Sequence, residues 1–263
     1  QSRSSAASDV YKRQIINFAF WLAKHDSTYQ NPDLDLVHEW TEAWSYYLIQ
    51  SSVQLAKESG ACPGNKETKY GMGVLPIDTY KAEVDELAAP NYKMDWDTLR
   101  TDLMEHGIRN STLMALMPAE TSAQISNSTN GIEPPRSYVS IKQSKHGVLK
   151  QVVPQYHRLK NKYDLLWDHR SPEGYLKICA VLQKFIDQGI SVNTSYNPEH
   201  YEDEKIPMSV LLQHIVMFYK YGGKQLYYNN TYDGQGEIDV DKFDAPEPTT
   251  TVLDDEDCES CKI

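Results

Sequence analysis

From residue 36 to residue 59, side chains of one kind return at steps of three and four: Leu36, Trp40, Ala43, Trp44, Tyr47, Leu48, Ser51 and Leu55. That period suits one face of a long helix and does not suit a strand. A helix of this length has to lay its stripe against other elements, so the rest of the chain must build a core around it. Gly60 stands where a C-cap belongs.

Shorter helices are expected over residues 15–24 and 95–107, the latter carried by Trp96, Leu99 and Leu103. A strong one is expected over 175–188, with Tyr175, Ile178, Cys179, Leu182, Phe185 and Ile186 on one stripe. Another is expected over 206–221, with Pro207 in its first turn and Leu211, Leu212, Ile215 and Phe218 turned inward. Between them lie short β-like runs. Residues 137–141 and 148–153 flank Lys145-His146-Gly147 as a hairpin, and residues 190–194 and 224–229 each follow a helix. Helices alternating with short strands indicate an α/β fold. No internal repeat is visible, and the strands are too few to close a sheet around these helices by themselves.

At 263 residues, 40% hydrophobic and 11% aromatic, the chain has material for one large domain or two small ones. No apolar run approaches the ~18–20 residues of a membrane span, and no basic segment with an apolar run opens the sequence. Four cysteines do not make a disulfide framework in a chain of this size, which points to a reducing, cytoplasmic setting. Charge is unevenly placed. From Glu237 onward ten acidic residues face two lysines, a net −8 of the chain's −11, leaving −3 on the preceding 236 residues. The body therefore has no basic face for nucleic acid. The tail, 237–263, with Pro246, Pro248 and a threonine run, is expected to be flexible. Residues 1–14, QSRSSAASDVYKRQ, are serine-rich and aperiodic, and read as a non-native or disordered leader.

Three constellations carry chemistry. The chain ends Cys258-Glu259-Ser260-Cys261-Lys262-Ile263. Two cysteines at this spacing can close a disulfide or form half of a metal site, and a metal would need further ligands that the tail does not offer. At the end of a flexible segment they suit a carried dithiol that exchanges with a buried disulfide and an external reductant. The 28 residues of 230–257 give it a range of roughly 30 Å, at about 5–6 Å × √n. Incidental cysteines remain the other reading. Second, Tyr227 and Tyr228 are adjacent on a strand, which ordinarily turns them to opposite faces as plain packing. Two phenols in contact can instead pass on an electron when each proton moves with it. Third, Met117-Pro118-Ala119-Glu120-Thr121-Ser122 opens a helical run whose first amides and hydroxyls suit a phosphate, or serve as an ordinary N-cap. Asn127, Asn130, Gly131, Pro134, Pro135 and Arg136 make a polar loop beside it.

Taken in order, RNSTLMALMPAETSAQISNSTNGIEPPRSYVSIK (109–142), QKFIDQGISVNTSY (183–196), KQLYYNNTYDG (224–234) and the terminal CESCKI closely resemble the large subunit of class I ribonucleotide reductases. KESGACP (57–63) and GVLPIDTY (73–80) extend the resemblance toward the start, so that it covers residues 15–263. It implies the later part of a ten-stranded α/β barrel built from two antiparallel five-stranded halves, over residues 15–236. It implies that Pro118, Ala119, Glu120, Thr121 and Ser122 hold the diphosphate of a ribonucleoside diphosphate. Relatives often carry Ser at the position of Ala119, so a contact made there by a hydroxyl would be lost and one made by the amide kept. By position, Tyr227 and Tyr228 match a tyrosine pair that relays a radical from the small subunit. Cys258 and Cys261 match tail cysteines that re-reduce the reacting disulfide and are reset by thioredoxin or glutaredoxin.

The resemblance further implies a homodimer, regulated by ATP and deoxynucleotide effectors and served by the metal/radical cofactor of the small subunit. No metal or cofactor is expected in this chain. The family's thiyl-radical cysteine and reducing cysteines are expected upstream of Ile15, so the sequence alone is expected to be inactive. Cys62 and Cys179 read as structural. Two other readings stay open: a stand-alone dithiol–disulfide protein, and a non-catalytic module in which the helix over 206–221 binds a small-subunit tail.

Overall fold

The computed structural model describes residues 10–144 and 147–234. In chain order the helices are α1 (Phe18–Lys24), α2 (Leu34–Ser59), α3 (Trp96–His106), α4 (Glu120–Ile125), α5 (Tyr156–Leu159), α6 (Glu173–Phe185) and α7 (Met208–Lys220). The strands are β1 (Val10–Arg13), β2 (Thr112–Met114), β3 (Val139–Ser144), β4 (Gly147–Val152), β5 (Val192–Tyr196) and β6 (Leu226–Thr231). They pair two by two, β1 with β2 and β5 with β6 in parallel, β3 with β4 antiparallel. The architecture is α/β, as the alternation of periods requires. A parallel pair needs a crossover, and α7 supplies it between β5 and β6. β1 falls inside the segment expected to be a leader, and residues 1–9 and the acidic tail lie outside the described residues.

The long helix forms where expected, but it buries a different face. Val37, His38, Thr41, Glu42, Ser45, Tyr46, Ile49, Ser52, Val53 and Ala56 are its buried residues, whereas Tyr47 and Leu55 are exposed and Trp40 and Trp44 half-buried. The buried stripe is rich in polar groups, which hydropathy counts against burial. Each named group here has a partner. Glu42 Oε1 accepts from Met94 N at 2.9 Å and from Trp96 Nε1 at 3.0 Å, and Lys93 N reaches both carboxylate oxygens at 3.0 Å. Ser45 Oγ donates to Phe185 O, and Ser52 Oγ to Asn110 Oδ1. Satisfied in this way, polar side chains cost little to bury. Asp33 caps the helix through Leu36 N, and Asp95 caps α3 through Thr98 N, each worth about 1 kcal/mol.

α6 is the centre of the core and is enclosed on nearly every side, from Tyr175 and Leu176 to Phe185. Gly174 lets its first turn meet the preceding loop: a Cβ there would stand 1.9 Å from Tyr29 O. The helix stops at Phe185, short of the expected residue 188. Asp187 has turned away to accept from Leu113 N, Met114 N and Tyr70 Oη. Gln183 closes the end by donating to Ile186 O and Gln188 O while accepting from Ile190 N.

α7 departs furthest from expectation. Only His214 and Phe218 are buried, Leu211 is half-buried, and Leu212 and Ile215 are 53% and 47% exposed. Its amphipathic period is real, yet half of its expected apolar stripe stays uncovered among the described residues. Pro207 stands at the N-cap, one place before the first turn.

Candidate functional site

β6 follows the tight Gly222-Gly223 turn after α7 and runs beside β5. In that ladder Val192 faces Leu226 and Thr194 faces Asn229, so the single Asn193 stands opposite both Tyr227 and Tyr228. The extra residue is a β-bulge, which interrupts the alternation of side chains. As a result Tyr227 and Tyr228 do not point to opposite faces. Their ring centroids are 4.3 Å apart at 63°, edge to face, and the two residues are 59% and 57% exposed. The hydrogen-bonding Tyr227 hydroxyl raises the pKa of the Tyr228 phenol above its ordinary value.

The residue displaced from the ladder is held by a side chain. Asn193 Oδ1 accepts the Tyr228 N–H at 3.0 Å, and Asn193 Nδ2 donates to Glu133 Oε1 at 2.6 Å. Glu133 is largely enclosed, and burial raises its carboxyl pKa against the opposing hydrogen bond from Asn193. Its own N–H goes to Asn130 O at 3.3 Å, and Asn130 Oδ1 accepts the Ala119 N–H at 2.7 Å. A continuous hydrogen-bonded path therefore joins the start of α4 to the tyrosine pair.

Both ends of that path open on one cavity of about 430 Å³. Pro118, Glu120, Asn130, Glu133, Asn193 and Tyr228 are among the residues that line it. The volume is that of a small-molecule site. Of the residues singled out in the α4 segment, Pro118 and Glu120 reach the cavity wall. Ala119 is buried with its amide committed to Asn130, and Thr121 and Ser122 are exposed on the first turn. Amides of a first helical turn have no intrahelical acceptor, which leaves those of Thr121 and Ser122 for another oxygen. The polar loop beside it, with Pro134, Pro135 and Arg136, is a wall of the cavity. A larger cavity, about 620 Å³, lies beside α6 and α7 and holds Lys69, Lys184, Asp187 and Lys224, but none of the candidate substrate, relay or tail residues named in the sequence.

Asn193 and Glu133 were not singled out in the sequence. Each lies inside a run quoted for the resemblance, but no period marks it, and only the bulge and the fold of the 130–136 loop bring them together. Cys258 and Cys261 lie outside the described residues. Cys62 and Cys179 are buried, consistent with packing roles, and burial pushes the Cys179 thiol far up. Neither lines the 430 Å³ cavity. Among the described residues there is no cluster of three metal-ligating side chains, and no helix is long and apolar enough to cross a membrane.

The family model for the ribonucleotide reductase barrel domain matches residues 15–229. The chain is 53% identical over 244 residues to the ribonucleoside-diphosphate reductase subunit alpha of Haemophilus influenzae, covering 92% of this chain and 32% of that protein. It is 50% identical over 252 residues to the ribonucleoside-diphosphate reductase 1 subunit alpha of Escherichia coli, covering 95% and 32%. With the subunit alpha of Enterobacteria phage T4 the identity is 42% over 251 residues, again 95% and 32%. The chain thus spans about a third of the length of these curated relatives.

Proposed function

This chain belongs to the ribonucleotide reductase barrel-domain family, and on that premise we propose that it forms the later part of the catalytic barrel of a class I large subunit. The complete enzyme reduces ribonucleoside diphosphates to deoxyribonucleoside diphosphates. The observation that carries the reading is the contact of Tyr227 with Tyr228 at the rim of a cavity reached also by Pro118 and Glu120.

In this reading Tyr228 and Tyr227 pass an oxidising equivalent inward. Each phenol gives up an electron and its proton together and regains both from the next group. The last group is a cysteine thiol elsewhere in the complete subunit, which becomes the thiyl radical that takes a hydrogen atom from the ribose. Water leaves the sugar, and two electrons come from a cysteine pair that closes to a disulfide. The dithiol of Cys258 and Cys261 then opens that disulfide by exchange, closes to its own, and is reset by thioredoxin or glutaredoxin. The diphosphate lies against the first turn of α4, on the amides of Thr121 and Ser122 and the side of Pro118 and Glu120. The Ala119 amide, bonded to Asn130, shapes the loop in place of touching the phosphate.

The partners in this reading are the small subunit with its metal/radical cofactor, a second copy of the large subunit, and ATP and deoxynucleotide effectors. The exposed apolar residues Met208, Leu212, Ile215, Val216 and Tyr219 of α7 favour a further, non-catalytic role as a seat for the small subunit's C-terminal peptide. By itself the chain is expected to be inactive, because its two described cysteines are buried away from the cavity.

The test completes the subunit with the upstream sequence of the Haemophilus influenzae relative and assays diphosphate reduction with a small subunit. Tyr227→Phe and Tyr228→Phe are each expected to abolish turnover. Cys258→Ser with Cys261→Ser is expected to stop thioredoxin-driven turnover and spare turnover driven by a small dithiol. Parental rates in the tyrosine variants would overturn the relay.

A further inference from the structure

In a parallel ladder the amides that face the partner strand come at a regular spacing, so a residue inserted on one strand has its N–H displaced from the pattern. Here the inserted residue belongs to the tyrosine pair. Asn193 is the single residue opposite it, and its side chain takes the place of the missing ladder carbonyl by accepting the Tyr228 N–H at 3.0 Å. An amide side chain offers an oxygen on one side and donors on the other. Glu133 fixes which is which, because a carboxylate only accepts: Asn193 Nδ2 donates to Glu133 Oε1 at 2.6 Å, and the oxygen is left to face Tyr228. Just past the bulge the ladder is held by Thr194 Oγ1 donating to Asn229 Oδ1 at 3.1 Å and by Asn230 Nδ2 donating to Ser195 Oγ at 3.4 Å.

We propose that Asn193, oriented by Glu133, is the positioning residue that holds Tyr227 and Tyr228 edge to face. It acts through the backbone of Tyr228, whose N–H it accepts, and not through the phenol oxygens. Without it the bulge is free to move along the strand, and a shift of one residue turns the tyrosines to opposite faces. The inference rests on the relay reading for its effect on turnover, but its geometric content stands apart from that reading.

The experiment uses the completed subunit with its small subunit and has two readouts. In the first, Asn193→Ala is expected to lower kcat at least tenfold while the KM for ribonucleoside diphosphate changes less than twofold. Asn193→Asp sets a second carboxylate against Glu133 and is expected to be as impaired. Adding Glu133→Gln to Asn193→Asp restores a donor–acceptor pair and is expected to recover most of kcat, which a merely structural role would not do. In the second readout, hydrogen exchange of the Tyr228 amide is expected to be slow in the parent and at least tenfold faster in Asn193→Ala.

If both Tyr→Phe variants are inactive while Asn193→Ala keeps the parental kcat, the positioning role fails and the relay stands. If the Tyr→Phe variants turn over normally, the relay fails, and the exchange rate of the Tyr228 amide alone decides whether Asn193 holds the bulge. An amide equally slow in Asn193→Ala and parent overturns the inference whatever the kinetics.

Discussion

Asn130 Oδ1 accepts the backbone N–H of Ala119 at 2.7 Å, so a side chain eleven residues further on sets the direction in which the chain enters α4. The sequence offers no cap here, since Ala119 occupies the N-cap and makes no side-chain bond. Asn130 substitutes for one from across the loop. Removing it frees the loop and leaves a buried amide without its acceptor, at about 1–3 kcal/mol. Asn130→Ala in the completed subunit is expected to raise the KM for ribonucleoside diphosphate about 5- to 30-fold with a smaller change in kcat. A loss confined to kcat would show that this loop does not hold the substrate.

Glu42 stands on the face of α2 that apolar periodicity would turn to solvent, yet it is fully buried. Its carboxylate gathers the N–H groups of Lys93, Met94 and the Trp96 indole. Truncation strands all three donors at once. Glu42→Ala is expected to cost about 3–5 kcal/mol in denaturant unfolding, against about 0.5 kcal/mol for exposed Glu39→Ala on the same helix. Similar losses from the two would mean that the network contributes nothing specific.

Gly174 admits the carbonyl of Tyr29 to a distance that any side chain would close. The backbone φ is ordinary, so the effect of Gly174→Ala is purely steric. It is expected to destabilise by about 1–3 kcal/mol in spite of the gain in helix propensity. A stabilised Gly174→Ala variant would show that the loop at Tyr29 can retreat.

Three buried histidines set the acid side of the stability curve. Burial lowers the pKa of His38, His169 and His214 below the ordinary value near 6.5, and Lys184 beside His38 lowers that one further. Folded, they stay neutral to a lower pH than they do unfolded. As pH falls below about 6.5 the unfolded chain takes up protons that the folded chain refuses, and stability drops by at most about 1.4 kcal/mol per histidine per pH unit. Asp187 and Glu133, pushed up by burial, act in the opposite sense, favouring the fold as pH falls toward their raised pKa values. Thermal unfolding is therefore expected to move to lower temperature from pH 7.5 to pH 5.5. His214→Gln should shrink that slope, and a Tm independent of pH over this range would contradict the account.

The existence and kind of the main elements were legible in the sequence, because helix and strand periods are local properties of neighbouring residues. The 36–59 stripe announced α2, and the runs on either side of Lys145-His146-Gly147 announced the β3–β4 hairpin, whose register pairs Val139 with Val152. The motif MPAETS and the adjacent tyrosines were legible too, as residues with a chemistry in search of a neighbour.

What only the tertiary structure decided is which neighbour each received. Periodicity showed that α2 has an apolar side. It did not show that Glu42, Ser45 and Ser52 would be buried, because their partners are the 93–96 segment, Phe185 and Asn110, far along the chain. Strand alternation separated Tyr227 from Tyr228, and a bulge opposite Asn193 brought them together. The physical reason is the same in both cases. Backbone geometry repeats over a few residues and can be read from them, whereas burial and hydrogen bonding are settled by groups that approach only when the chain has folded.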